Sequence, residues 1–392
     1  MGFKVFIECT YLYLLMGLKL SFIIINYINF YFLELLITFS NLKKYSSSTA
    51  QPVISGKKIY PIIIPVPPLE EQKRIVEKIE ELLPYIEEYG GAEEKLEELN
   101  KTFPEKIKVS ILQEAFQGKL VPQDPDDVPA KGLLAQIQKE KEQLIKDKKI
   151  KRNNKESVIF RGNGHFYEKV GKKGKTVCID EEIPFDIPDT WEWVKLKDII
   201  ELGENLNIHT QLNKDTIINY VDIKAIDNKN YCIKEEDIKI EKVNKLSSRA
   251  RRVLEKDQIV YSTVRPYLNN IAILTENKEN YIGTTGLMAF KTLIETKYVF
   301  YYLLSPVIRE YYLRLLKGFN SPSITQKQFL NTYIPIPPLN EQERIVDRVE
   351  QIFKIINELE EAILQDRYIK DLISVTKSPS TSDIDSKIET KL

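Results

Sequence analysis

Cysteine is scarce in this 392-residue chain, and its three copies, Cys9, Cys178 and Cys232, stand far apart. An odd, scattered set supports neither a disulfide framework nor a CxxC metal site, and a reducing cytoplasm is the expected location. Histidine is scarcer: His165 and His209 fall in different segments, which closes off histidine-based triads and histidine-rich metal sites. Phosphate-cradling GxGxxG and GxxxxGK[ST] patterns are missing. Asp126 behind Pro125, with Asp147 and Lys149 downstream, imitates the scattered acids of a nuclease, but the setting is a turn and a charge-dense helix. The expected inventory is therefore no catalytic residue, no cofactor and no metal.

Charge of one sign is also lacking, since Lys plus Arg and Asp plus Glu both total 57, so charge has to be read segment by segment. The longest apolar run, Leu20 to Leu33, is flanked by Lys19 and Glu34 and falls short of the ~20 residues that span a bilayer. Nothing like an Ala-x-Ala cleavage site follows it, so neither membrane insertion nor a signal peptide is expected. What is present is 43% apolar and 10% aromatic residues, which exclude an intrinsically disordered chain, at a length that fits two or three domains.

An internal repeat organises the chain. Pro65-Val-Pro-Pro-Leu-Glu-Glu-Gln-Lys-Arg-Ile-Val-Glu-Lys-Ile-Glu80 returns as Pro335-Ile-Pro-Pro-Leu-Asn-Glu-Gln-Glu-Arg-Ile-Val-Asp-Arg-Val-Glu350, at an offset that also matches Phe30, Tyr31 and Leu33 to Phe300, Tyr301 and Leu303. Proline makes each PxPPL segment extended, and the acidic residues after it suit a helix start. Apolar positions then recur at three-four spacing: Ile75, Val76, Ile79, Leu82, Leu83 and Ile86 in one copy, and Ile345, Val346, Val349, Ile352, Phe353, Ile356 and Leu359 in the other. Pro84 is expected to kink or end the first helix, and a second helix from Glu93 to Gln117 is expected after Gly90-Gly91, with Gly118 as its C-cap. Ordinary helix core is one reading of these stripes; a spacer made of two long antiparallel helices is the other. Eleven acids face four bases between Glu70 and Glu98, so this stretch is not itself expected to bind nucleic acid.

Ile183-Pro-Phe-Asp-Ile-Pro-Asp-Thr-Trp191-Glu-Trp193 opens a globular unit that mixes short β-rich runs, such as Gln258 to Val264, with a helical Tyr298 to Leu316. The fold class read from this texture is α+β. From Glu241 to Asn270 seven bases face three acids; Lys245, Arg249, Arg251, Arg252 and Arg265 stand among hydroxyls and amides such as Ser248. A second polar stretch adds Lys317, Asn320, Ser321, Gln326 and Lys327. Such side chains hold phosphates and read base edges. For any one of them a solvated surface charge is the ordinary reading, and Arg265 before Pro266 could equally cap a buried carboxylate.

The PxPPLxEQxRIV helix, Ser110-Ile-Leu-Gln-Glu-Ala-Phe-Gln-Gly-Lys-Leu-Val121, Ile187-Pro-Asp-Thr-Trp-Glu-Trp-Val194, Ser248-Arg-Ala-Arg-Arg252 and Ser262-Thr-Val-Arg-Pro-Tyr267 together resemble the specificity subunit of type I restriction-modification systems over roughly residues 30 to 375. The resemblance implies two target-recognition domains held apart by antiparallel helices that dock methyltransferase subunits, a restriction motor recruited through them, and no catalysis by the subunit itself. It adds Tyr267 to the DNA-facing residues. Only the second copy carries the Trp191 opening and the Arg-rich stretch, so the first recognition domain is expected as a remnant, with self-association of two copies as one way to read a two-part site. The expected division is a remnant over 1–64, a central helical region over 65–150, a basic linker over 151–183, a recognition domain over 184–334, a distal helix over 335–375 and a tail over 376–392. The expected partners are double-stranded DNA and the methyltransferase and restriction subunits. A helical scaffold that binds no DNA and a membrane-anchored protein are the rival readings.

Overall fold

A computed structural model describes residues 66–147, 157–171 and 174–376. The remnant expected over 1–64 lies outside the described residues. The chain divides into two compact units, Met1–Lys101 and Thr102–Leu392.

Helix α1 spans Leu69–Phe116 without a break, through Pro84, Gly90-Gly91 and Pro104. This corrects the expected end at Pro84. A mid-helix proline costs about 3 kcal/mol, yet dense Glu, Lys and Leu on either side have high helix propensity and carry the helix through the breakers. Its C-terminus is as expected. Gly118, at φ +71°, donates to Ala115 O at 3.3 Å, and Lys119 donates to Glu114 O at 2.9 Å, the bond pair of a Schellman cap. A Cβ on Gly118 would lie 2.5 Å from Pro188 Cγ, so glycine is required there by packing as well as by φ.

The second unit holds helix α2 (Ala130–Lys146) and then a three-stranded antiparallel sheet, β1 (Ser157–Gly162), β2 (His165–Val170) and β3 (Thr176–Cys178). This sheet occupies the span read as a basic linker. Its signal was Asn163-Gly164: both residues adopt positive φ, 53° and 83°, as a two-residue type I′ hairpin demands. Next come β4 (Glu192–Lys195), α3 (Leu196–Ile199), β5 (Ile200–Leu202), α4 (Ile208–Gln211), β6 (Ile217–Val221), β7 (Ile226–Asp227), β8 (Cys232–Ile233), β9 (Lys239–Lys242) and β10 (Ala250–Val253). They are followed by β11 (Ile259–Ser262), β12 (Ile271–Ile273), β13 (Tyr281–Thr284), β14 (Leu287–Thr292), α5 (Thr296–Leu304), α6 (Pro306–Leu315), α7 (Gln326–Leu330), β15 (Tyr333–Ile336) and α8 (Leu339–Thr376). The strands form sheets in the orders β10-β13-β6-β9 and β12-β11-β14-β5 and the ribbons β15-β4 and β7-β8, with β13 and β6 the parallel pair. The helix expected from Tyr298 to Leu316 is divided, because Ser305 caps α6 and Pro306 takes its first position.

The main core gathers Phe116, Trp193, Tyr261, Phe290, Tyr298, Tyr302, Tyr312 and Phe329. Three of its tyrosines bury their rings and still satisfy their hydroxyls: Tyr298 donates to Pro335 O at 2.8 Å, Tyr302 donates to Tyr333 O at 2.7 Å, and Tyr312 pairs with Thr332 Oγ1 at 3.0 Å. The carbonyls of β15 are thereby paired although the strand has one partner. Within this unit the last part of α1 runs antiparallel to α8: Lys108 pairs with Glu360 at 2.9 Å near one end, and Leu112 and Phe116 share the core with Ile345, Val346 and Val349.

Candidate nucleic-acid interface

Two stretches far apart in sequence converge on one edge of the second unit. After β11 the chain turns through Arg265 (φ 48°, ψ 55°), the 3-10 turn Pro266–Leu268 and Asn269 (φ 55°, ψ 37°). Left-handed non-glycine residues stand at both ends of this turn, which a tertiary and a local backbone bond hold. Arg265 N donates to Pro322 O at 2.8 Å, and Leu268 N donates to Arg265 O at 2.9 Å. The other stretch, 317–323, closes on itself: Lys317 N donates to Ser323 O at 3.1 Å and Ser323 N returns a bond to Lys317 O at 3.0 Å. Gly318 takes φ +98° inside it. Ile324 N then donates to Thr263 O at 3.0 Å, stitching the two stretches together.

The side chains follow the backbone. Arg265 is exposed, and its Nη2 donates to Asn320 O at 3.0 Å, so it holds the neighbouring loop, and among the described residues it caps no buried carboxylate. Arg252, on β10, donates from Nη2 to Gln326 Oε1 at 3.0 Å. Its Nε is buried without a hydrogen-bond partner among the described residues, and burial pulls its pKa below the usual guanidinium value. Gln326 and Lys327 are exposed on α7, whose start is fixed by a capping box between Thr325 and Gln328. Lys317, Asn320 and Ser321 are exposed, and Tyr267 is half-buried in the turn.

The remaining residues read from the sequence lie on the approach to β10. Lys245 is exposed and stands 3.5 Å from Glu241; Ser248 and Arg249 are exposed; Arg251 donates from Nε to Ser248 O at 2.9 Å. The structure thus joins Arg252 to Gln326 and Arg265 to Asn320, while Lys245 pairs with its own neighbour. Phe319 was missed. It sits between the residues picked from its loop, but an apolar ring was not read as a contact. It is fully exposed, at 104%. The edge therefore offers forked and point cations, amides, hydroxyls and one bare aromatic ring on backbone that tertiary bonds hold in place. That set can bind phosphates and contact bases.

A second site-like constellation surrounds the start of α8. Trp191, 3% exposed, donates its indole N–H to Glu341 at 3.0 Å, and Gln123 donates to the same carboxylate at 2.6 Å. Burial pushes Glu341 above the ordinary glutamate range against those bonds. Beside it Arg344 binds Asp127 at 2.5 Å and, with Asn340, holds that aspartate below the usual carboxylate range. The residues quoted as motifs, Ser110 to Val121 and Ile187 to Val194, meet here as supports of the helix start.

Comparison with known proteins identifies the family. The family model for the type I restriction modification DNA specificity domain matches residues 13–98 and 188–366. The specificity subunit of the type I restriction enzyme EcoAI of Escherichia coli is 31% identical over 270 residues, covering 66% of this chain and 41% of that protein. The MjaVIII specificity subunit of Methanocaldococcus jannaschii is 25% identical over 334 residues, covering 83% of this chain and 63% of that protein. Among solved structures, the HsdS subunit of Thermoanaerobacter tengcongensis aligns at 28% identity and a TM-score of 0.42, over 51% of this chain and 52% of that one. The chain thus spans less than half the length of its EcoAI relative. With more than half of its residues matched, in two blocks that fall on the two copies of its repeat, the chain belongs to the type I restriction-modification DNA specificity family.

Proposed function

We propose that this chain is a non-catalytic, sequence-reading DNA subunit of a type I restriction-modification complex, and that the edge built from 245–267 and 317–327 lies on the duplex. The observation that carries the reading is the convergence of the two polar stretches through Arg265 and Asn320 and through Arg252 and Gln326. The exposed cations Lys245, Arg249, Lys317 and Lys327 hold phosphates. Arg252, half-buried, presents its guanidinium beside Gln326, where it can meet a phosphate or a guanine edge. Gln326, Asn320, Ser321 and Tyr267 read bases, and the fully exposed Phe319 ring stacks on them.

The long helices are the docking surface for the methyltransferase subunits, through which the restriction subunit joins. Tyr85, Ile86 and Tyr89 on α1, and Leu364, Tyr368 and Ile369 on α8, are exposed apolar side chains on charged helices, as partner-binding surfaces are. No described helix is long and apolar enough to cross a membrane. The division into recognition head and spacer, a cytoplasmic location and pairing of two copies belong to the same proposal.

The test is DNA binding against salt. Arg249→Ala, Lys317→Ala and Lys327→Ala, tested singly in the full chain with its methyltransferase partner, should each lower the slope of log affinity against log salt by roughly 0.9. An unchanged slope in all three removes this edge from the duplex. Co-purification with the methyltransferase but without a DNA footprint would favour the scaffold reading.

A further inference from the structure

The hairpin sheet carries a cluster that the DNA reading does not use. His165 opens β2 and Cys178 closes β3. The register pairs Tyr167 with Cys178, Glu168 with Val177 and Lys169 with Thr176, and Ile179 N prolongs the ladder by donating to Phe166 O at 2.9 Å. Continuing that register sets His165 opposite Asp180. Since side chains alternate along a strand, His165, Cys178 and Asp180 share one face, as an opposed pair and its diagonal neighbour. Phe166 and Ile179, on the other face, are 5% and 1% exposed and hold the hairpin to the core. The face bearing the cluster is open: His165 and Cys178 are exposed and Asp180 partly so.

The donor atoms are already gathered. One ligand atom from each of the three residues lies within 4.8 Å of the other two. Asp180 is oriented before any ion arrives: its Oδ1 accepts Phe166 N–H at 2.6 Å, which turns Oδ2 to within 2.5 Å of His165 Nδ1. Backbone fixing of a carboxylate in this way is what an outer shell does for a metal ligand.

We propose that His165, Cys178 and Asp180 form a site for a divalent transition-metal ion of the zinc class. The donor set selects the class, because one sulfur, one nitrogen and one oxygen suit zinc, whereas magnesium and calcium take all-oxygen shells. Ligand bonds of about 2.0 to 2.3 Å require the three donors to draw in slightly and the His165–Asp180 contact to open around the ion, which exposed side chains do by rotation. The Cys178 thiol proton, and the proton shared between His165 and Asp180 where the ring carries two, leave to solvent as the metal bonds form. Water takes the fourth corner on the open face. An ion here staples the start of β2 to the chain leaving β3, and the assignment stands independently of the DNA reading.

The experiment uses the full chain, freed of metal by a chelator and titrated with Co²⁺. One ion per chain and a near-ultraviolet thiolate-to-cobalt charge-transfer band are expected, with Zn²⁺ displacing the cobalt and abolishing the band. Cys178→Ser should remove the band, and His165→Ala or Asp180→Asn should weaken binding about tenfold or more. A second measurement needs no variant: Zn²⁺ should slow alkylation of Cys178 while leaving the exposed Cys232 unaffected, as read by mass spectrometry of the peptides. Absence of the band, its persistence in Cys178→Ser, or equal protection of both cysteines would each overturn the site.

Discussion

The two helix starts at Leu69 and Leu339 are near copies in sequence and differ in how they are held. Gln72 donates to Pro67 O at 2.8 Å and Gln342 donates to Pro337 O at 2.9 Å; both glutamines are fully buried, and each backbone N–H bonds the carbonyl of the second proline at 3.0 Å. The local motif therefore builds itself twice. Around it the copies part. Glu341 is buried under Trp191 and Gln123, and Arg344 is locked to Asp127, whereas their counterparts Glu71 and Arg74 are exposed. Val349 is fully buried while Ile79 is partly open, and Ile356 is buried while Ile86 is 60% exposed. A short motif fixes the turn and the cap; long-range partners decide whether the same side chains become structural.

Trp191→Ala should break that comparison most severely. Truncating a buried tryptophan costs about 3 to 5 kcal/mol, and it strips Glu341 of its indole partner. The urea midpoint of the full chain measures it, and a loss under about 1 kcal/mol would mean the packing at α8 is incidental.

Next in size is Glu341→Ala, which strands two donors and should cost about 2 kcal/mol, against less than about 0.5 for Glu71→Ala. Glu341→Gln should be milder, because burial already disfavours the charged form. Equal effects at 71 and 341 would erase the distinction.

Arg344→Ala leaves the buried Asp127 with Asn340 alone and should cost about 1 to 2 kcal/mol, reduced from the value for a fully buried pair because the arginine is 34% exposed. Arg74→Ala should be neutral.

The smallest effect is in acid. Arg344 and Asn340 depress the folded-state pKa of Asp127, so its stabilisation is complete above the ordinary aspartate value of about 3.9 and is lost as pH falls through the lower folded value. Glu341 runs the other way: its pKa is raised, so its burial disfavours folding above that raised value and the effect fades as pH drops. Asp127→Asn should therefore flatten the acid limb of the stability curve below about pH 4. A limb of unchanged steepness assigns it to other carboxylates.

Much of this could be read along the chain wherever the cause was local. The PxPPL starts, the Gly118 cap and the Asn163-Gly164 turn depend on φ preferences and on hydrogen bonds spanning a few residues. The Asn-Gly turn was passed over because the bases around it were weighed as a linker. Pro84 misled in the opposite direction, since summed propensity over a long helix outweighed one breaker. The polar edge was legible as composition, with both stretches chosen, but their meeting was not, because the backbone bond from Arg265 N to Pro322 O and the side-chain bond from Arg265 to Asn320 O leave no period in the sequence.

By itself, then, the order of residues determined the repeat, the helix starts and caps, the mixed α+β texture and the family, all of which rest on short-range sterics and on patterns that survive in a string. Tertiary structure alone decided that Arg252 faces Gln326, that Glu341 is buried where Glu71 is not, that Phe319 stands clear of the surface, and that His165 lies beside Cys178 and Asp180. The reason is that a side chain's energy depends on which atoms surround it, and those neighbours arrive from strands and loops whose pairing a linear pattern does not encode.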